Sequence, residues 1–148
     1  MKKLFIILII FVFTSIIKAQ DFNNIDIKKL NIALSEQTIN GFTFDSVSIY
    51  YGIIGSYKDA DGNELVISFD SLSKFEEVKN EDPDFVTLYK NEKSNLIFFQ
   101  NEYITALYIE LPKFNVTMSL TSGFMEKSQL ETVYNQINPE DLLNKAVK

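Results

Sequence analysis

Asp59, Asp61, Asn63 and Glu64 bring four oxygen-bearing side chains together within six residues, a density of donors that suits a hard cation such as calcium. The spacing departs from an EF-hand loop. Counted from Asp59, Gly62 falls fourth where the glycine should be sixth, and the twelfth residue is Asp70, not Glu. Turn chemistry offers a second reading, because Asp and Gly are also the residues of a hairpin tip. Asp59, Asp61 and Asn63 are carried forward as candidate metal ligands, with calcium as the one cofactor the sequence suggests.

A second acidic group, Glu76, Glu77, Glu81, Asp82 and Asp84, falls at the end of an expected helix, where the macrodipole favours cations instead. Carboxylates placed there are explained by solvation, or by a cation or basic partner. Paired carboxylates could also run a glycosidase, whose two acids stand about 5 to 10 Å apart across a sugar cleft. The chain has no Trp to stack on a sugar ring. A small carboxylate-dependent hydrolase is therefore the alternative reading, and no catalytic residue is singled out.

The missing residue types narrow the chemistry further. There is no His, no Cys and no Arg, and all 14 basic residues are Lys. A Ser-His-Asp or Cys-His nucleophile pair is excluded, as are an ordinary zinc site and a histidine-held haem. The bidentate fork that Arg offers to phosphates is absent as well. The five glycines, at 41, 52, 55, 62 and 123, assemble no phosphate loop.

The chain opens with Lys2 and Lys3 ahead of ten consecutive apolar residues, Leu4 to Phe13, and turns polar at Gln20 after Ala19. That layout is a secretory signal peptide over residues 1–19, with cleavage between Ala19 and Gln20. Leu4 to Ile17 is 14 residues, short of the roughly 20 that cross a bilayer, so contact with a membrane is expected only before cleavage. Ile17 stands where such sites prefer a small residue. An exported chain, periplasmic or secreted, is the expectation.

Cleavage would remove three lysines and no acid, taking the net charge from −6 to −9. Nucleic acid is thereby excluded as a partner, since a phosphate backbone needs a basic footprint. Residues 20–148 fit one domain of ordinary size.

Ile27, Leu30 and Leu34 recur at helical spacing behind Asp26, which predicts an N-capped helix from Ile27 to Gln37. Val47 to Lys58 and Glu64 to Phe69 read as strands joined by the 59–63 loop, a hairpin. Ser73 to Glu76 and Ser128 to Glu131 have the form of capping boxes, each opening a helix. Between those helices, Phe85 to Lys90, Asn95 to Gln100, Glu102 to Leu111 and Phe114 to Thr121 form four strands. Their short connections demand antiparallel neighbours. Asn138-Pro139-Glu140-Asp141 starts a last short helix. The expected fold is α+β: an antiparallel sheet of about six strands, hairpin plus meander, with helices packed on one face.

Ile39 to Phe44 (INGFTF), Tyr57 to Asp70 (YKDADGNELVISFD) and Gln129 to Leu142 (QLETVYNQINPEDL) occur in an element order that resembles small exported bacterial domains of unknown function and the Mog1/PsbP-like sandwiches. The resemblance implies a fold and carries no active site across.

Ten Phe and seven Tyr lie beyond the leader. With Tyr103, Leu107, Ile109 and Leu111 assigned to the core, Ile104, Ala106 and Tyr108 point away, joined by Phe99 and Ile97 according to register. Either a helix covers that second face, or it forms a groove for a small apolar ligand or a protein. Phe99, Ile104 and Tyr108 are the candidate binding residues. Asp45-Ser46 and Asp70-Ser71 match the Asp-Ser-apolar pattern of bacterial O-glycosylation, though Asp-Ser is also common in turns. The function expected is a non-enzymatic domain of the bacterial envelope that binds a ligand or partner through its sheet face or acidic surface. An acidic inhibitor or immunity protein for a cationic target is a further possibility.

Overall fold

The computed structural model describes residues 24–49, 52–91 and 94–148. The signal segment, with Ala19 and Gln20, lies outside the described residues. The fold is α+β, built on one antiparallel sheet of seven strands: β1 (Thr43–Ile49), β2 (Ile53–Lys58), β3 (Glu64–Ser71), β4 (Val86–Lys90), β5 (Asn95–Gln100), β6 (Thr105–Leu111) and β7 (Val116–Ser122). Their spatial order is β1-β2-β3-β7-β6-β5-β4. The meander β4 to β7 thus folds back so that β7 pairs with β3, joining it to the hairpin. Among the described residues four α-helices accompany the sheet: α1 (Ile27–Ser35), α2 (Ser73–Lys79), α3 (Lys127–Gln136) and α4 (Pro139–Ala146).

One face carries the main core. Tyr57, Leu65, Ile67, Phe69, Leu107, Ile109, Met118 and Leu120 are all fully buried there, which follows from the strict alternation of β3, β6 and β7. Leu30 and Leu34 of α1, Leu130 and Val133 of α3, and Leu142 and Leu143 of α4 close over them. Each such side chain contributes about 1.5–3 kcal/mol by leaving water. At the back of this layer the Tyr57 hydroxyl donates to the Leu34 carbonyl at 2.7 Å, which also accepts from the Gln37 N–H at 3.1 Å past the end of α1. The two ends of the described chain meet: Ile25 bridges Val147, and the Asp26 N–H donates to the Ala146 carbonyl at 2.7 Å.

Most expected elements are present, with four differences. The stretch read as one strand from Val47 to Lys58 is two, β1 and β2, paired antiparallel with Ile49 opposite Ile53. The strand expected from Glu102 begins only at Thr105, because the Asn101 side chain accepts from the N–H groups of Tyr103 and Ile104, each at 2.9 Å, and closes a turn. Tyr103, assigned to the core, is consequently 73% exposed. Neither Ser73 nor Ser128 caps its helix: Leu72 stands at the N-cap of α2, Ser73 bonds Ser71 at 2.7 Å, and α3 starts behind Glu126, whose N–H donates to the Gln129 side chain at 2.8 Å. Asp26 and Asn138 cap α1 and α4 as expected.

Three helices occupy the core face. The fourth, α2, lies on the opposite face, where Phe75 and Val78 pack with Ile97, Val86 and Tyr108 in a second, smaller apolar cluster.

Candidate functional site

Two rows of cross-strand partners define the second face. One runs Ser48, Ile54, Ser68, Ser119, Tyr108, Ile97, Leu88; the next runs Ser46, Ser56, Val66, Thr121, Ala106, Phe99, Val86. The β1–β3 half is rich in small hydroxyls and satisfied locally, with Ser68 and Ser119 bonded at 2.6 Å and Ser56 bonded to Glu64. The β4–β6 half is apolar. Ile97, Phe99, Ala106 and Tyr108 share this face, Ile97 opposite Tyr108 and Phe99 opposite Ala106, a register their spacing had left open.

The three candidate binding residues do not form one patch. Tyr108 lies half-buried beneath α2 against Phe75 and Val78, and burial pushes its hydroxyl pKa above the ordinary value, against a smaller opposing effect of Lys74. Ile104 belongs to the Asn101 turn, past the end of the ladder, and is 36% exposed. Phe99 remains at the sheet margin, its ring centroid 6.3 Å from that of Phe85.

At that margin α2 and β4 meet in a corner with a distinctive surface. Phe85 is 45% and Leu88 51% exposed; Phe85 directly follows the exposed run Glu81, Asp82 and Asp84 in the chain, and Leu88 lies three residues further along β4. Between α2 and β4 a groove of about 380 Å³ is lined by Phe75, Glu76, Lys79, Leu88 and Lys90 among others. Glu76 pairs with Lys79 and Glu77 with Lys74, both at 3.2 Å, whereas no ion pair among the described residues engages Glu81, Asp82 or Asp84. Asp82 accepts from the Asp84 N–H at 3.0 Å, which fixes the turn that delivers the chain into β4. From the core face β4 is held by Tyr89, whose hydroxyl donates to Glu131 of α3 at 2.8 Å while the Lys127 ammonium sits 4.1 Å over its ring.

Sequence reasoning missed Phe85 and Leu88 as surface residues. Both were placed on a strand, but an edge position depends on strand order, which no local pattern encodes. The signal within reach was the acidic run immediately before them.

The Asp59 loop is organised around its own turn. The Asp59 carboxylate accepts from the N–H groups of Asp61 and Asn63 at 2.9 and 2.8 Å, and from the Asn63 side chain at 2.9 Å. These bonds, the Asn63 side chain foremost, hold its pKa below the usual carboxylate value. Asp59 and Asn63 therefore engage each other instead of presenting converging oxygens, and no group of three or more carboxylates is arranged to hold a metal ion among the described residues. Ser46 is exposed on the edge strand β1 and Ser71 is bonded to Ser73.

A wider open cleft of about 770 Å³ lies where the β4–β5 turn meets α3 and α4, lined by Asn91, Tyr134, Asn135, Asn138, Glu140 and Asp141 among others. Its polar groups are largely committed. Asn138 caps α4, Asn91 accepts from the Ser94 N–H at 2.7 Å, Glu140 faces Lys113 at 3.7 Å and Asp141 faces Lys145 at 3.5 Å. Glu140 and Asp141 are also successive residues of one helix, which do not face each other across a substrate. No helix among the described residues is long and apolar enough to cross a membrane. No protein-family model, curated protein or solved structure shows a significant match to this chain.

Proposed function

We propose that this chain is an exported, non-enzymatic binding domain of the bacterial envelope, and that it holds a cationic protein partner at the corner between α2 and β4. The observation that carries the reading is the juxtaposition at that corner. Phe85 and Leu88 lie half-exposed at the start and middle of β4, and the chain enters that strand through Glu81, Asp82 and Asp84, carboxylates without an ion-pair partner among the described residues. Exposed apolar side chains rimmed by polar and charged residues are the composition of a docking surface. The acidic body, −9 over residues 20–148 once the leader's three lysines are discounted, steers a basic partner toward it and repels nucleic acid and anionic surfaces.

The arrangement of the carboxylates in the cleft of about 770 Å³ favours binding over hydrolysis. Glu140 and Asp141 are each held by their own lysine, and neither is placed opposite the other as an acid and a nucleophile must be.

The test compares the wild-type domain with a variant carrying Glu81→Gln, Asp82→Asn and Asp84→Asn, each immobilised and exposed to a native envelope extract. The expected result is a basic protein retained by the wild type, released by raised salt, and retained poorly by the variant. Equal retention by both, or retention unchanged in high salt, contradicts the reading. The mass of the exported chain tests the compartment: it should begin at Gln20.

A further inference from the structure

The two edges of the sheet differ. On β1 the register slips between Phe44 and Ser46, so Asp45 forms a bulge whose carboxylate meets Lys58 at 3.1 Å. A bulge and an ion pair are devices that keep another strand from adding to an edge. On β4 the register runs without interruption from Val86 opposite Phe99 to Lys90 opposite Asn95, and among the described residues the strand has β5 as its one neighbour.

Hydrogen bonding fixes which backbone groups of β4 face outward. Just before the strand the Gln100 N–H donates to the Phe85 carbonyl at 3.0 Å, and just after it the Asn91 N–H donates to the Ser94 carbonyl at 3.2 Å. Antiparallel pairs alternate between bonded and non-bonded. Residues 85, 87, 89 and 91 therefore turn their amides and carbonyls toward β5, while Val86, Leu88 and Lys90 turn theirs away from the sheet. The outward residues carry their side chains on the face occupied by α2. A strand laid along β4 would bond those three residues and set every second side chain beside Leu88 and the groove under Phe75, Glu76 and Lys79.

We infer that β4 is a strand-addition site, and that its occupant is an extended segment of the partner protein in which apolar residues alternate with Lys or Arg. The inference rests on the reading of the α2–β4 corner as the docking surface and specifies how the partner is held. The occupant's chemistry follows from the site. Leu88 and the Phe75 groove receive the apolar positions, and Glu81, Asp82 and Asp84, at the entrance to β4, attract the cations. A second copy of this chain is disfavoured, because both copies carry the same net negative charge, −9 over residues 20–148.

A short capped peptide alternating Val with Lys, its counterpart N-methylated at alternate residues, and a Val-Glu peptide serve as probes, with exchange of individual amides followed by NMR at low salt. The expected result with the Val-Lys peptide is that the Val86, Leu88 and Lys90 amides slow by about tenfold at saturation, while Thr87 and Tyr89, already bonded to β5, do not change. The N-methylated and Val-Glu peptides should leave all five unchanged. Leu88→Pro removes an outward N–H and spares the β5 ladder; it should abolish the protection while the Tyr89 and Lys127 signals stay native. Binding of the Val-Lys peptide without the alternating pattern, or equal binding of its N-methylated form, overturns strand addition and leaves the corner reading standing. Alternating protection that appears without peptide and grows with protein concentration overturns the assigned occupant in favour of a second copy. No binding of the Val-Lys peptide up to about 1 mM also overturns the inference, while the corner reading is judged separately by the triple carboxylate variant.

Discussion

Leu88 and Ile97 stand directly opposite each other on β4 and β5, yet Ile97 is fully buried under α2 while Leu88 is half-exposed. One cross-strand pair thus marks the boundary between the small second core and the proposed docking surface.

That boundary separates stability from binding. Leu88→Lys should change unfolding free energy by no more than about 0.5 kcal/mol, as surface substitutions do, and should weaken partner binding. Ile97→Ala should destabilise the domain by about 2–5 kcal/mol through the cavity it leaves against Phe75 and Val78. Urea unfolding followed by circular dichroism measures both. A Leu88→Lys protein as unstable as Ile97→Ala would place Leu88 inside the core.

The carboxylates at the corner should govern the rate of association more than the fold. Neutralising Glu81, Asp82 and Asp84 together is expected to lower the association rate for the cationic partner about tenfold at low salt, with the dissociation rate changing less. Stopped-flow binding at two ionic strengths reads the effect, and the difference between wild type and variant should shrink as salt rises.

On the core face, Tyr57→Phe removes a donor to the Leu34 carbonyl. Because the Leu34 carbonyl keeps the Gln37 N–H at 3.1 Å, the loss should cost about 0.5–1.5 kcal/mol, seen as a lower urea midpoint with an unchanged slope. A midpoint equal to that of the wild type would mean that the bond contributes nothing net.

Alkali should unfold the domain. Tyr57, Tyr89 and Tyr108 all have pKa values raised above the ordinary 10.0, with burial the largest cause in each. For Tyr89 the bond to Glu131 adds to the effect. The unfolded chain releases these protons first as pH rises through 10.0, so the stabilisation is fully present below that pH and is lost progressively above it. Urea midpoints should be flat from about pH 7 to 9 and fall by about pH 11. Ultraviolet titration should show these phenols ionising only together with unfolding.

Local chemistry made much of the fold legible. The Asp59–Asn63 turn, the Asn101 break and the caps at Asp26 and Asn138 each depend on residues adjacent in the chain, and each is present. Alternation put Ile97 with Phe99 and Ala106 with Tyr108, and the β5–β6 register brings the two pairs onto one face. What alternation could not supply was order in space. The pairing of β3 with β7 and the edge position of β4 arise from long-range packing, so the exposure of Phe85 and Leu88 was hidden. Phe75 and Val78 announced an apolar stripe on α2 but not which side of the sheet it would cover. Ser73 and Ser128 misled because the N-caps stand earlier, at Leu72 by one residue and at Glu126 by two.

Photo-cross-linking in the native envelope tests the central claim most directly, with a photoreactive residue placed at Leu88 in one protein and at Ile32, exposed on α1, in another. The account predicts a basic protein cross-linked from position 88, absent from position 32, and lost when Glu81, Asp82 and Asp84 are neutralised in the same chain. The same partner captured equally from both positions, or captured from position 88 regardless of the three carboxylates, would contradict it.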